Sequence, residues 1–156
     1  MPKIGIISDT HGLLRPEAVA ALAGSDFIVH AGDIGEVAIL SRLSALAPVT
    51  AVRGNNDKGE WAAAVPPSEV LRVGEILVYV VHDIADLDVD PVAAGIQVVV
   101  FGHSHRPLIQ ERDGVLYVNP GSAGPRRFRL PITVAELHIS GKSRSARILE
   151  LTLQTS

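Results

Sequence analysis

Five short apolar runs constrain the fold of this chain more than any other feature: "KIGII" (3 to 7), "FIV" (27 to 29), "VTAV" (49 to 52), "ILVYVV" (76 to 81) and "IQVVVF" (96 to 101). They are rich in Val and Ile and do not alternate with polar residues, the pattern of strands buried on both faces. Helical spacing lies between them. In "PEAVAALAG" Pro16 suits the first helical position, Val19, Leu22 and Ala23 share a face, and Gly24 is a stop signal. "EVAILSRLSALAP" places Val37, Leu40 and Leu43 on one stripe and ends at Pro48, and "DPVAAG" offers Asp90 as an N-cap with Gly95 as its stop. Strand, helix, strand in succession predicts α/β architecture.

The C-terminal third differs. "ITVAELHI" and "ARILELTL" alternate apolar with polar residues over much of their length and are joined by "SGKSRS", which predicts an antiparallel hairpin. The length of 156 residues fits one domain, taken as 1–156, and with no cysteine there is neither a disulfide framework nor a thiolate metal site. A formal charge of −3 argues against a general nucleic-acid or anionic-membrane binder. No apolar run approaches the roughly 20 residues that cross a bilayer. Asp9 and His11 interrupt the N-terminus before a signal-peptide core could form, so the expected location is cytoplasmic.

Each of the five runs leads into residues able to hold a metal ion. Asp9 and His11 follow the first, Asp33 the second, Asn55 the third, His82 the fourth, and His103 and His105 the fifth. Carboxyl ends of parallel strands lie along one edge, where ligands bind, so these residues are expected to meet there. Singly, each has another reading: "DTH" could cap a helix, Asp33 could serve a turn, and His82 could be a core histidine. "GHSH" is the least turn-like, because histidine has no special advantage in turns. Jointly they make a metal site, and imidazole with carboxylate suits Mn, Fe or Zn. Seven ligands exceed the need of one open catalytic ion and suffice for two sharing a carboxylate, roughly 3.5–4 Å apart. Two divalent cations outweigh two carboxylates and a hydroxide, and a neutral Asn ligand preserves that excess, so the site would attract a phosphate anion.

In order and spacing, "SDTHG", "AGD", "RGNND", "VVHD" and "FGHSH" resemble the signature of the calcineurin-like metallophosphoesterase superfamily over residues 8 to 105. The short length and "VNPGSAGPRR" (118 to 127) look most like its small YfcE-like phosphodiesterase branch. The resemblance implies a two-sheet β-sandwich flanked by helices, parallel-rich in its N-terminal part, with the antiparallel hairpin at its end. It implies one ion held by Asp9, His11, Asp33 and His105, and a second sharing Asp33 and completed by Asn55, His82 and His103. Two divalent ions follow, Mn first, with Ni, Fe, Zn or Mg as the others. The implied reaction is hydrolysis of a small phosphoester, a diester first, by attack of a metal-bridging hydroxide.

Around these residues, Gly54 is expected to shape the turn, and Asp57 to cap a helix or support the site. Many superfamily members carry His where this chain has Asn56, a group thought to protonate the leaving alcohol. Asp83 stands where Gly is usual, and it either orients His82 or faces solvent. Arg126 and Arg127 either grip phosphate or belong to a solvated loop. His30 reads as a supporting or core residue, His138 as structural and Trp61 as packing. Asn119 to Ser122 are expected to support the site through backbone donors. The competing functions are a phosphomonoesterase or nucleotide phosphatase, and a non-catalytic metal-binding scaffold, since a retromer coat subunit shares this fold. A homo-oligomer is compatible with the sequence.

Overall fold

The computed structural model describes residues 2–153 and distributes the apolar runs over two sheets. In chain order the strands are β1 (Lys3–Ile7), β2 (Phe27–His30), β3 (Val49–Ala51), β4 (Ser68–Val73), β5 (Ile76–Val81), β6 (Val98–Val100), β7 (Leu108–Arg112), β8 (Val115–Asn119), β9 (Thr133–Ser140) and β10 (Ser143–Glu150). The helices are α1 (Pro16–Leu22), α2 (Val37–Ser44), α3 (Glu60–Ala63) and α4 (Pro91–Ala94). One sheet runs β10-β9-β1-β2-β3 and the other β4-β5-β6-β8-β7. Strands β1, β2 and β3 are mutually parallel, as are β5, β6 and β8, while β9–β10, β4 and β7 attach antiparallel.

The missing alternation has a direct structural cause. Ile4, Ile6 and Val29 from one sheet face Val78, Val80, Val98 and Val100 from the other in a shared core. On the opposite face of the first sheet, Ile7 and Ile28 pack under Leu22 of α1 and Ile39 and Leu43 of α2. Tyr79, Val81 and Val99 do the same on the second sheet, against Ile96 and Phe101. Both faces of the central strands are therefore apolar, and each fully buried Ile or Val contributes about 1.5–3 kcal/mol. The predicted Asp90 cap is present, accepting from the Val92 and Ala93 amides.

Some boundaries differ from the sequence expectation. α2 ends at Ser44, before the predicted stop at Pro48. The C-terminal hairpin turns on Gly141 and Lys142 alone, so β10 begins at Ser143 and not at Ala146. Gly141 has φ 59°, the conformation that a two-residue turn with Gly at its first position uses. Strands β4, β7 and β8 were not anticipated, whereas the single turn α3 falls where Asp57 was expected to cap a helix. β4 and β7 are exposed edge strands carrying charge, so they lack the apolar signature that marked the others. The pair Asp113-Gly114, both at positive φ between "LIQER" and "VLYVN", is the hairpin signal that would have revealed β7 and β8.

Candidate metal centre

The two parallel cores end at a common rim, and all seven expected ligands lie at the strand ends or in the loops that follow them. Past β1 and β2 the chain continues as two zipped loops: Asp9 N–H donates to Gly32 O, His11 N–H to Asp33 O and Gly12 N–H to Ile34 O. Asp9, His11, Asp33, His103 and His105 all have positive φ, between 46° and 73°. Left-handed backbone is uncommon outside glycine, and strained residues of this kind gather at functional sites.

The side chains converge. Asp9 Oδ1 lies 3.4 Å from His105 Nε2, 3.8 Å from His11 Nε2 and 3.9 Å from His82 Nε2. Asp33 Oδ2 lies 3.3 Å from His82 Nε2 and 3.6 Å from His11 Nε2. The imidazoles form two pairs, His11 with His105 at 5.4 Å between ring centres and His82 with His103 at 5.2 Å. Asp9, His11 and His105 make one cluster able to hold an ion, and Asp9, Asp33 and His82 make another. His103 and Asn55 are exposed and share one cavity with His82.

Hydrogen bonds dictate which lone pairs remain free. Asp9 Oδ2 accepts from the Ser8 hydroxyl at 2.7 Å and the His103 amide at 3.2 Å, whereas Oδ1 has no hydrogen-bond partner although it is buried. His82 Nδ1 lies 2.7 Å from the Ala31 carbonyl, which can only accept, so Nδ1 carries the proton. Neutral His82 therefore presents the Nε2 lone pair, which is also buried and unpartnered, towards both carboxylates. A lone pair held against two carboxylates is repulsive unless positive charge sits between them. The proton affinities report the same demand. Burial would raise the Asp9 carboxyl, but the facing His105 and His11 imidazoles and the Ser8 hydroxyl bring it well below the ordinary range. Burial would lower His82, but Asp33 and Asp9 raise it. A divalent ion answers that demand with the donors present, so the residues fit a metal.

Supporting residues act differently from several expectations. His82 is oriented by the Ala31 carbonyl and not by Asp83, whose side chain accepts from the Ala85 amide and lies 3.7 Å from His103. Asp57 caps no helix: buried, it accepts from the amides of Ile34, Gly35 and Gly54 and ties the loop after β3 to the loop after β2. Gly54 is needed for room more than for a turn, since a Cβ there would collide with the Asp33 carboxylate and amide. Likewise a Cβ on Gly102 would meet Ser8 Oγ and Asp9 Oδ2. Asn56 donates twice to Asp33, from its amide at 2.9 Å and its side chain at 3.1 Å. Support from the "NPGS" segment comes largely from side chains, not backbone donors alone. Asn119 donates to Gly102 O and Ser104 Oγ, and Ser122 donates to Asp9 O. Arg126 is exposed and donates to Leu130 O, while Arg127 lies near enough to His11 to oppose its protonation.

His30 is fully buried and fully used. Its Nδ1 accepts from the Gly32 amide at 3.1 Å, so Nε2 carries the proton and donates to Thr10 Oγ1 at 3.0 Å, and Thr10 donates to Ile34 O. Ser8 and Thr10 were not singled out from the sequence. Hydroxyls flanking an Asp at the end of an apolar strand are the available signal, because a buried hydroxyl needs a partner. Trp61 packs against the α1–α2 core, and His138 lies on β9 beside Glu136.

Residues 2–142 match the calcineurin-like phosphoesterase superfamily domain. A probable metallophosphoesterase of Methanothermobacter thermautotrophicus is 35% identical over 158 residues, which span 94% of this chain and 91% of the relative. Vps29 of Chaetomium thermophilum superimposes with a TM-score of 0.78 at 18% identity, covering 97% of both chains. A structure described as a novel archaeal phosphodiesterase gives 0.76 at 25% identity, covering 94% of this chain and 99% of that one. The chain belongs to the calcineurin-like phosphoesterase superfamily, whose members work with divalent metal ions. Among the described residues no helix is long and apolar enough to cross a membrane.

Proposed function

We propose that this protein is a phosphodiesterase working with two divalent metal ions. Asp9, His11, Asp33 and His105 hold one ion, and Asp33, Asn55, His82 and His103 the other. The observation that carries the reading is the pair of buried, unpartnered atoms, Asp9 Oδ1 and His82 Nε2, turned towards each other with the His82 tautomer fixed from behind. The pairing of His11 with His105 and of His82 with His103 supports two ions. Asp33 Oδ2 faces one imidazole of each pair, as Asp9 Oδ1 also does, so the geometry allows Asp33 the shared role that the family resemblance implies.

Bound ions of this kind supply Lewis acidity at the phosphoryl oxygens and lower the pKa of an attacking water. The chain's own part is to hold two carboxylates facing the imidazoles, Asp9 with Oδ1 unpartnered and Asp33 steadied by Asn56, and to present the imidazole lone pairs towards them. Asn56 is committed to Asp33 and carries no acidic proton, so the leaving group departs without help from that position. That favours diesters with good leaving groups, and the likeness to an archaeal phosphodiesterase points the same way. Mn is the first ion to supply. The test is hydrolysis of bis-p-nitrophenyl phosphate and p-nitrophenyl phosphate by metal-stripped protein given Mn, Ni, Zn or Mg. Turnover restored by an ion, faster on the diester, supports the proposal. Ion binding without turnover of either ester overturns it in favour of a scaffold.

A further inference from the structure

A cavity of about 480 Å³ opens directly from the metal centre, and its lining joins Asn55, His82 and His103 to Asp83, Asp86 and Asp88. The aspartates come from one segment, "HDIADLDVD", which holds four of them between β5 and α4. Two have structural work: Asp83 caps the turn at Ile84–Asp86, and Asp90 caps α4. Asp86 and Asp88 have none, since they make no ion pair or side-chain hydrogen bond with any described residue, yet both line the cavity. Among the described residues Arg53 is the one Lys or Arg in the lining, and its guanidinium donates to Ala62 O. The wall therefore keeps an excess of negative charge beside a centre that takes a phosphate.

Those two requirements define a substrate. The phosphoryl group goes to the metal centre, flanked by buried His82, whose Nε2 is unpartnered. The ester arm that enters the cavity meets aspartates, so a further phosphate there is repelled and an ammonium group is attracted. We propose that this cavity selects phosphodiesters in which one alcohol carries a positively charged ammonium group, with Asp86 and Asp88 as the specificity-determining residues. The inference rests on the phosphoesterase reading above and names its substrate class.

Two esters with the same leaving group isolate the charge: p-nitrophenyl phosphocholine, and p-nitrophenyl 3,3-dimethylbutyl phosphate, in which a tert-butyl group replaces trimethylammonium. Asp86 and Asp88 are exposed, and exposed ion pairs are worth up to roughly 1 kcal/mol each, so kcat/KM with the Mn-loaded protein should favour the cationic ester about fivefold. In an Asp86→Asn/Asp88→Asn variant that ratio should fall towards one. A wild-type ratio within about twofold of one, or a ratio that the variant leaves unchanged, overturns the inference. Calorimetric titration with phosphocholine and 3,3-dimethylbutyl phosphate reads the same preference without turnover. If neither ester is hydrolysed but phosphocholine binds more tightly through Asp86 and Asp88, the phosphoesterase reading fails and the cationic pocket stands. Equal binding of the two overturns the pocket.

Discussion

The two sheets bring unlike halves to one site. The rim of β1, β2 and β3 carries both carboxylates, and it is fixed: Asp9 and Asp33 are buried, their loops are zipped by backbone hydrogen bonds, and Asp57 ties a third loop to them. The rim of β5 and β6 carries imidazoles and is looser. His103 is 46% exposed in its side chain and Ser104 is exposed, while Asn119 pins that loop at two points. The difference follows from charge. Buried carboxylates need donors to hold them, whereas a neutral imidazole such as His82 needs one acceptor to set its tautomer. His30 and His82 show the rule at strand ends in the two different sheets. Both are buried at a strand end, but His30 has both nitrogens occupied, and His82 has one occupied and one aimed at the carboxylates.

The largest effect expected from breaking the carboxylate rim is Asp33→Ala. It removes one of the two carboxylates that face both imidazole pairs, and kcat/KM for bis-p-nitrophenyl phosphate should fall about 1,000-fold, with ion affinity weakened in a metal titration. Retention of activity within about tenfold would remove Asp33 from the centre. Next is Asp57→Ala, which strands three backbone donors away from any charged acceptor. Urea unfolding should show a loss of about 3 kcal/mol, as expected when buried donors lose a charged partner. An unchanged midpoint would mean that the three loops hold their places without it.

The histidine contrast is sharpened by pH. Burial pushes His30 down from an ordinary 6.5 to about 4. Between those values the unfolded chain binds a proton that the folded protein refuses, so the His30 contribution favours folding above pH 6.5 and is lost as pH falls towards 4. From pH 7 to pH 5 this removes about 2 kcal/mol from the metal-loaded protein, relative to a His30→Gln variant under the same conditions. Parallel stability profiles for the two proteins would show that His30 is not held neutral. His82→Ala should behave in the opposite manner, losing ion affinity while the pH slope attributed to His30 persists.

Legibility in the sequence followed the same division. The central strands were readable because both of their faces are apolar, so the runs at 3 to 7 and 76 to 81 stood out at nearly their observed limits. Edge strands β4 and β7 were not, since a strand with one exposed face and charged residues looks like a loop. The converging residues were readable because parallel strands end on one rim, which turns order along the chain into position in space. What could not be read was how each is held. Whether Asp83 or the Ala31 carbonyl orients His82 depends on the approach of β2 to the end of β5, across 51 residues. A main-chain acceptor leaves no trace in residue identity. Gly54 misled for a related reason: glycine signals both unusual φ and close approach, and only the position of Asp33 tells them apart.

The smallest effect belongs to Asn56, and it tests how completely the carboxylate rim is fixed. Its side chain adds one donor to Asp33 Oδ2, while its backbone amide already serves Oδ1. Asn56→Ala keeps the backbone bond and loses only the outer one, so ion affinity and kcat/KM should fall about tenfold, the scale of a single supporting group. Asn56→His separates orientation from proton transfer. It also loses the donor to Asp33, but it places a titratable group where Asn56 has none. If leaving-group departure is unassisted in the natural chain, the rates of a series of aryl phosphodiesters should fall steeply as leaving-group pKa rises. The His variant should flatten that slope for the poorest leaving groups even while its overall rate drops. A shallow slope in the unaltered protein would mean that another group already protonates the leaving oxygen. Asp83, 3.7 Å from His103 at the edge of the cavity, is then the side chain to replace.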